Sequence, residues 1–332
     1  MNKNFDLIVI GTGAAGSTTA HKCRNEGWSV AVIDHNPFGG TCALRGCDPK
    51  KVLVGAAELI DYSKRLNGKG VEGKLIIDWK GLMKFKRSFT KSVPKTREKG
   101  FKDAGIEIFH GTAVFINENT IAINEFKLTG KKILIANGAK PAKFNIKGEE
   151  HITYSDQFLQ LNELPEKIIF VGGGYISFEF AHIAALAGAD VTIIHRGKRP
   201  LEGFDKNLVQ LLTKKSQKLG IKIGLNTEVN SIIKSGKNLI VVSNSGGTEK
   251  TFNAGLVVHG AGRIPELDEM DLEKGNVKRE KRGVSVNEYL QSVTNPIVYS
   301  AGDSVASNGL PLTPVATMES NIAASNILNG NK

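Results

Sequence analysis

Two glycine-rich turns, each set between a short apolar run and a helical pattern, constrain the fold of this chain more than any other feature. Residues 5–10 have the length and branching of a buried strand. They lead into Gly11-Thr12-Gly13-Ala14-Ala15-Gly16, then a helical pattern to about Glu26, a stop at Gly27, and a second strand over 28–33 ending on Asp34. G-x-G-x-x-G between strand and helix, with an acid at the tip of the next strand, is the βαβ unit that takes a dinucleotide. Gly11 permits the tight turn, Gly13 lets a pyrophosphate approach the backbone, and Gly16 lets helix and strand close up. The unpaired N–H groups and dipole of the helix N-terminus favour the phosphates. Asp34 is expected to accept hydrogen bonds from both ribose hydroxyls.

The pattern returns. Residues 167–171 read as a strand, Gly172-Gly173-Gly174-Tyr175-Ile176-Ser177 as the turn, and the helix runs to about Ala187 before Gly188 and a strand over 191–194. Ser177 stands where the third glycine would be, and its small side chain still allows helix and strand to meet. Two such units imply two dinucleotides, the layout of a flavin enzyme fed by a nicotinamide; the alternative is a second unit that is only a structural copy. At the strand tip the second unit reads Ile194-His195-Arg196-Gly197-Lys198-Arg199, with no acid. An acid there selects the 2′-hydroxyl of NAD, whereas cations select the 2′-phosphate of NADP. NADPH is therefore expected ahead of NADH, the alternative being a solvated basic loop.

Residues 106–124 alternate apolar and polar, as hairpin strands do. Residues 133–139 read as a strand returning to the first sheet, 256–262 as a strand ending in a glycine turn, and 297–303 as a strand with Asp303 at its carboxyl end. The expected fold is α/β, with two Rossmann-like dinucleotide-binding domains, the second inserted into the first. Residues 1–147 and 270–332 would form the FAD domain and 148–269 the NAD(P)H domain. With 332 residues, 40% of them hydrophobic and 23% charged, the chain has the composition of a globular protein. No apolar run approaches the roughly 18 residues that span a membrane. The amino terminus enters its first strand without a signal-peptide layout, so the cytoplasm is the expected location.

Lys plus Arg number 44 against 33 Asp plus Glu, a formal charge of +11 that attracts anions. The densest block, residues 84–102, carries eight basic residues at helical spacing around Leu82, Phe85, Phe89 and Val93. It reads as a solvated helix face rather than a nucleic-acid stripe, and neither nucleic acid nor membrane is expected as a partner.

Three cysteines do not make a structural framework in a cytosolic chain. Cys23 sits within the first helix and is expected to pack as a small apolar residue. Cys42 and Cys47, in Gly39-Gly40-Thr41-Cys42-Ala43-Leu44-Arg45-Gly46-Cys47-Asp48-Pro49-Lys50-Lys51, lie at the start of a helix and can close a small loop as a disulfide. A helix N-terminus with cations nearby favours the reactive thiolate. A redox couple beside a flavin is the leading reading; structural and metal roles are the alternatives, zinc being disfavoured because no second Cys/His pair has ligand spacing. No metal is expected.

These motifs, with Ile135-Ala136-Asn137-Gly138-Ala139-Lys140-Pro141, Gly260-Ala261-Gly262-Arg263, Ala301-Gly302-Asp303 and Leu312-Thr313-Pro314-Val315-Ala316, occur in an order that resembles the flavoprotein (pyridine nucleotide) disulfide reductases. That family includes glutathione reductase, which the chain resembles most, mercuric reductase and dihydrolipoamide dehydrogenase. The resemblance implies that Gly11, Gly13, Ala15, Gly16 and Asp34 hold the adenosine end of FAD. Gly40, Thr41, Ala113, Asn137 and Gly138 would line that cofactor, Asp303 after Gly302 would meet its ribityl chain, and Thr313 would join them. It also implies that Gly172, Gly174, Tyr175 and Ile176 hold the nicotinamide nucleotide, with Tyr175 as an aromatic lid unless it is a merely packed tyrosine. Gly262 and Arg263 would add cofactor contacts. Arg196 matches an arginine that binds the 2′-phosphate; the pattern's second arginine falls on Glu202, and Lys198 or Arg199 would compensate, next to His195.

By the same resemblance, Cys47 is the flavin-proximal, charge-transfer sulfur and Cys42 the interchange sulfur that attacks substrate. Lys50 resembles the lysine near flavin N5, paired with Glu179; Lys51 is the alternative for that place, and a surface salt bridge the alternative for the pair. The implied activity passes electrons from NADPH through FAD and the Cys42/Cys47 disulfide to a small disulfide such as oxidised glutathione. An FAD/NAD(P)H-binding fragment or an NADPH:acceptor dehydrogenase is the alternative. The family's homodimer rests on a carboxyl-terminal interface domain, which lends a His-Glu pair to the partner's site and is expected to be missing after Lys332. Thioredoxin reductases are set aside because their Cys-x-x-Cys lies in the nicotinamide domain.

Overall fold

The computed structural model describes residues 1–332. Contacts divide the chain into two compact units: Met1–Leu44, Thr90–Lys140 and Arg263–Lys332 form the first, and Arg45–Phe89 and Pro141–Gly262 the second. Along the chain the first segment holds β1 (Asn2–Ile10), α1 (Ala14–Asn25), β2 (Val30–Asp34) and α2 (Gly40–Arg45). Next come α3 (Cys47–Leu66) and α4 (Trp79–Thr90), then α5 (Val93–Asp103), β3 (Glu107–His110), β4 (Val114–Asn117), β5 (Thr120–Ile123), β6 (Phe126–Ile135) and β7 (Ala139–Pro141). The fourth segment carries α6 (Ser155–Phe158), β8 (Lys167–Val171), α7 (Tyr175–Leu186), β9 (Asp190–Ile194), α8 (Lys206–Lys218) and β10 (Lys222–Gly224). It continues through β11 (Thr227–Ser235), β12 (Asn238–Ser245), β13 (Thr248–Ala254) and β14 (Leu256–His259). The last contains β15 (Arg263–Pro265), β16 (Arg279–Glu280), β17 (Gly283–Val284), β18 (Val298–Ser300) and α9 (Thr313–Asn329).

In the first unit the sheet order is β3-β2-β1-β6-β5-β4, with β18 also paired to β6. Strands β3, β2, β1, β6 and β18 run parallel. Leu7, Val9 and Leu134 pack on one face of the sheet with Ala20, Cys23 and Ala323, and Ile8, Ile133 and Ile135 on the other with Phe115 and Val298. Burial on both faces is why these strands read as unbroken apolar runs. The sequence order reverses on either side of β1, which places the first glycine turn at a switch point, where doubly wound sheets bind ligands.

The second unit repeats the plan in smaller form. A parallel sheet of order β10-β9-β8-β14 holds the second glycine turn, and β11-β12-β13 form an antiparallel meander. Ile168, Phe170, Phe178 and Ile193 make its core together with Leu53, Ala57, Trp79 and Met83 from α3 and α4.

Three local readings of the sequence change. The alternating stretch 106–124 is not all hairpin: β4 and β5 pair antiparallel, whereas β3 joins the parallel edge beside β2. The basic block 84–102 spans two helices that break at Lys91 and Ser92, and Pro94 sits in the first turn of α5, where a missing N–H costs nothing. Phe85 and Phe89, read as the apolar stripe, are 57% and 52% exposed, while Met83, Lys86 and Thr90 turn inward. The two compact units divide at 44/45, 89/90, 140/141 and 262/263, and Leu53, Trp79 and Met83 pack into the core of the second.

Candidate functional site

At Gly11 and Gly16 the first glycine turn is closed by contacts that leave no room for a side chain. Gly11 has φ +103°, and a Cβ there would lie 2.2 Å from the Ala136 carbonyl oxygen. Gly16 packs so closely that a Cβ would come 1.9 Å from the Gly11 carbonyl oxygen. Gly40, at φ +72°, rests on Gly13, where a Cβ would stand 2.4 Å from the Gly13 Cα. The loop ahead of Cys42 is thereby fixed directly onto the first glycine turn. Thr12 strengthens the joint: its hydroxyl donates to Asp34 Oδ2 at 2.7 Å and accepts the Gly39 N–H at 3.3 Å.

Asp34 Oδ2 also accepts the Thr12 N–H at 2.8 Å, and Oδ1 accepts the Asn36 N–H at 2.9 Å. A carboxylate offers about four acceptor sites. Three are filled by the chain itself, which fixes the orientation of the carboxylate at the strand tip. Beside Asp34 lies an open cleft with about 30 Å³ of cavity volume, lined by Gly11, His35, Ala113, Asn137 and Glu266 among others. Asn137 donates from Nδ2 to the Glu266 carbonyl, while its Oδ1 is buried with no hydrogen-bond partner. Buried acceptors in native structures are almost always satisfied. An orphan acceptor in a cleft floored by a glycine turn fits an adenosine-bearing dinucleotide such as FAD. The Glu266 carboxylate, 3.5 Å from His35 Nε2, raises the His35 pKa.

On the same unit, Gly302 N–H donates to Glu319 Oε2 at 2.8 Å, and Ser307 Oγ donates to Oε1 at 2.5 Å. Glu319 thus fixes the turn that presents Asp303. Burial raises the Asp303 pKa, with Arg263 acting in the opposite direction. Glu319 was missed by sequence reasoning; its signal was a lone acid in a helix of otherwise small, polar and apolar residues. Arg263 donates to the Ala139 carbonyl, Ala113 is buried, Ala15 faces Gly302, and Thr313 opens α9. Thr41 is exposed on α2, and Gly138 has φ +78°.

Cys42 is the third residue of α2 in the first unit, Cys47 the first residue of α3 in the second, and both are half-buried. Cys23 is fully buried, which pushes its thiol up to about 12 and makes it inert. One turn into α3, Lys50 Nζ lies 2.5 Å from Glu179 Oε1 on α7, whereas Lys51 is exposed. Of the two lysines, Lys50 is the one that pairs with Glu179.

The second glycine turn is built like the first. Gly172 has φ +112°, and a Cβ there would lie 2.4 Å from the Gly260 carbonyl. Gly172 N–H donates to the Ile194 carbonyl at 2.8 Å, as Gly11 N–H does to the Ile33 carbonyl at 2.7 Å. Gly174 caps α7, Tyr175 and Ile176 form its first turn, and Tyr175 is exposed. Ser177 is fully buried and its Oγ has no hydrogen-bond partner. Arg196 and Lys198 are exposed. Arg199 donates to the Phe204 carbonyl at 2.9 Å and the Glu202 carbonyl at 2.5 Å. Gly262 ends the second unit in a positive-φ turn. No helix is long and apolar enough to cross a membrane.

Residues 5–320 match the family described as pyridine nucleotide-disulphide oxidoreductase. A glutathione reductase of Nostoc sp. is 30% identical over 344 residues, covering 100% of this chain and 74% of that protein. A mercuric reductase of Staphylococcus aureus is 30% identical over 333 residues, covering 98% of this chain and 60% of that protein. Among solved structures, the Cu(II) complex of the HOCl-induced flavoprotein disulfide reductase RclA from Escherichia coli superimposes with a TM-score of 0.87 at 24% identity. That match covers 99% of this chain and 72% of the other.

Proposed function

Because the chain belongs to the pyridine nucleotide-disulphide oxidoreductase family, we propose that it is an NADPH-dependent flavoprotein that reduces a small disulfide through Cys42 and Cys47. When bound, FAD supplies the two-electron relay between the nicotinamide nucleotide and the sulfur pair. The observation that carries the reading is the joint between Gly40 and Gly13, which ties the cysteine-bearing loop to the turn that would hold the cofactor's phosphates.

The chain's own steps follow thiol–disulfide exchange. The Cys42 thiolate attacks one sulfur of the substrate disulfide, forming a mixed disulfide and expelling one substrate thiolate, which takes a proton from solvent. The Cys47 thiolate then attacks Cys42 Sγ, releases the second thiolate and closes the Cys42–Cys47 disulfide. Two electrons from NADPH reopen it. Lys50, held by Glu179, is the cation assigned to the hydride-transfer step, and Tyr175 the lid of the nicotinamide pocket. The absence of an acid after β9, with Arg196 and Lys198 exposed there, supports NADPH over NADH. A reducing compartment, the cytoplasm, suits such a dithiol.

The relatives' names divide between glutathione and mercuric ion, so the substrate is set by experiment. The FAD-loaded chain is titrated anaerobically with NADPH and NADH, then offered oxidised glutathione, lipoamide, Hg(II) and Cu(II). A long-wavelength absorption band on NADPH addition that is abolished in Cys42→Ser, with turnover of a disulfide, is expected. Direct bleaching of the flavin, identical in Cys42→Ser, would instead identify an NADPH:acceptor dehydrogenase.

A further inference from the structure

The two glycine turns are closed by the same device built from different residues. In the first, the Thr12 N–H donates to Asp34, 22 residues onward; in the second, the Gly173 N–H donates to His195 Nδ1 at 3.1 Å, again 22 residues onward. The middle residue of each turn is thus held by the residue at the tip of the following strand. Since Nδ1 accepts, the ring proton lies on Nε2, which donates to the Arg199 carbonyl at 3.0 Å. Both nitrogens are engaged, Nδ1 as acceptor and Nε2 as donor.

The site is shaped for that ring. A Cβ on Gly173 would lie 2.7 Å from His195 Cγ, and one on Gly197 would lie 2.6 Å from His195 Nε2. Two glycines therefore sandwich the imidazole. The basic turn closes over it, with Arg199 held by the Phe204 and Glu202 carbonyls, and Glu202 Oε1 sits 3.9 Å from Nε2.

We propose that His195 is a positioning residue with two separable halves, resting on the reading of the second turn as an NADPH site. Its Nδ1 holds the glycine turn, which any nicotinamide nucleotide needs. Its Nε2–H holds the Arg196–Arg199 turn, which only a 2′-phosphate needs. An imidazole does both without itself bringing a carboxylate to that phosphate. Arg199 is occupied in holding the turn, so Arg196 and Lys198 are the phosphate's ligands and Lys198 replaces the arginine displaced by Glu202.

The test uses the FAD-loaded chain and two probes, 2′,5′-ADP and 5′-AMP, titrated by calorimetry. Asparagine mimics the Nδ1 position of histidine and glutamine its Nε2 position. His195→Asn is expected to weaken 2′,5′-ADP by roughly tenfold, the scale of one charge-assisted contact, and to leave 5′-AMP unchanged. His195→Gln is expected to weaken both probes alike and preserve their ratio. Lys198→Ala should weaken only 2′,5′-ADP, and Arg199→Ala should do so less than Lys198→Ala. Wild-type protein that does not prefer 2′,5′-ADP removes the NADPH reading and this inference with it. A wild-type preference that His195→Asn leaves intact, or that both histidine variants reduce equally, overturns the inference alone. Circular dichroism of each variant identifies any that fails to fold, and the lysine and arginine variants then decide the assignment of the turn.

Discussion

Lys86 is fully buried on α4, and its ammonium reaches only Gln160 Oε1 at 3.4 Å. Burial, aided by repulsion from Arg87, pulls its pKa down from 10.5 to about 8. Between those values the unfolded chain binds the proton and the folded chain does not, so stability rises with pH across that window. Two and a half decades at 1.36 kcal/mol each bound the swing at about 3 kcal/mol, of which about 2 kcal/mol falls between pH 7 and pH 9.5. Lys86→Met keeps the volume and removes the charge. The variant should be more stable than wild type at pH 7, and its advantage should shrink by about 2 kcal/mol at pH 9.5. Urea unfolding of both FAD-loaded proteins at the two pH values, followed by circular dichroism, measures this double difference and cancels every other titrating group. An identical gap at both pH values, or a methionine variant that is the weaker at both, would refute the claim that the buried ammonium is destabilising.

Gly11→Ala forces a Cβ to 2.2 Å from a carbonyl oxygen at φ +103°; strain alone costs about 1–3 kcal/mol, and purified protein should lack the flavin absorbance that wild type shows. Ser177→Ala removes a buried hydroxyl without a partner, so it should stabilise by about 1 kcal/mol in urea unfolding; a loss of that size would mean the hydroxyl is bonded. Lys50→Met leaves Glu179 without its ion-pair partner and should slow flavin bleaching by NADPH about tenfold or more in anaerobic stopped-flow, with little change in nucleotide affinity. If affinity falls instead and the rate holds, the pair only shapes the fold.

Both βαβ units were legible because their determinants are local: a turn glycine, a helix and a strand tip within about thirty residues. The β14 and β18 strands were legible from apolar runs. The inward face of α4 was not, since Phe85 and Phe89 are the obvious apolar positions, yet Trp79 donates to the Leu161 carbonyl at 3.1 Å and turns Met83 and Lys86 inward instead. That choice depends on residues some eighty positions away. The same holds for Glu319, whose partners Gly302 and Ser307 belong to a turn twelve to seventeen residues upstream. His195 was visible as a missing acid, but its part in holding Gly173 needed coordinates.

The close backbone contact of Gly40 with Gly13 joins the first glycine turn and the cysteine-bearing loop into one piece of chain. Gly40 cannot take a side chain without displacing the first glycine turn or the loop ahead of Cys42, and the Asp34–Thr12–Gly39 bonds extend that dependence to the strand tip. On the proposed function, a group seated on that turn and a sulfur presented by that loop would share one rigid footing, so a shift in either would be felt by the other.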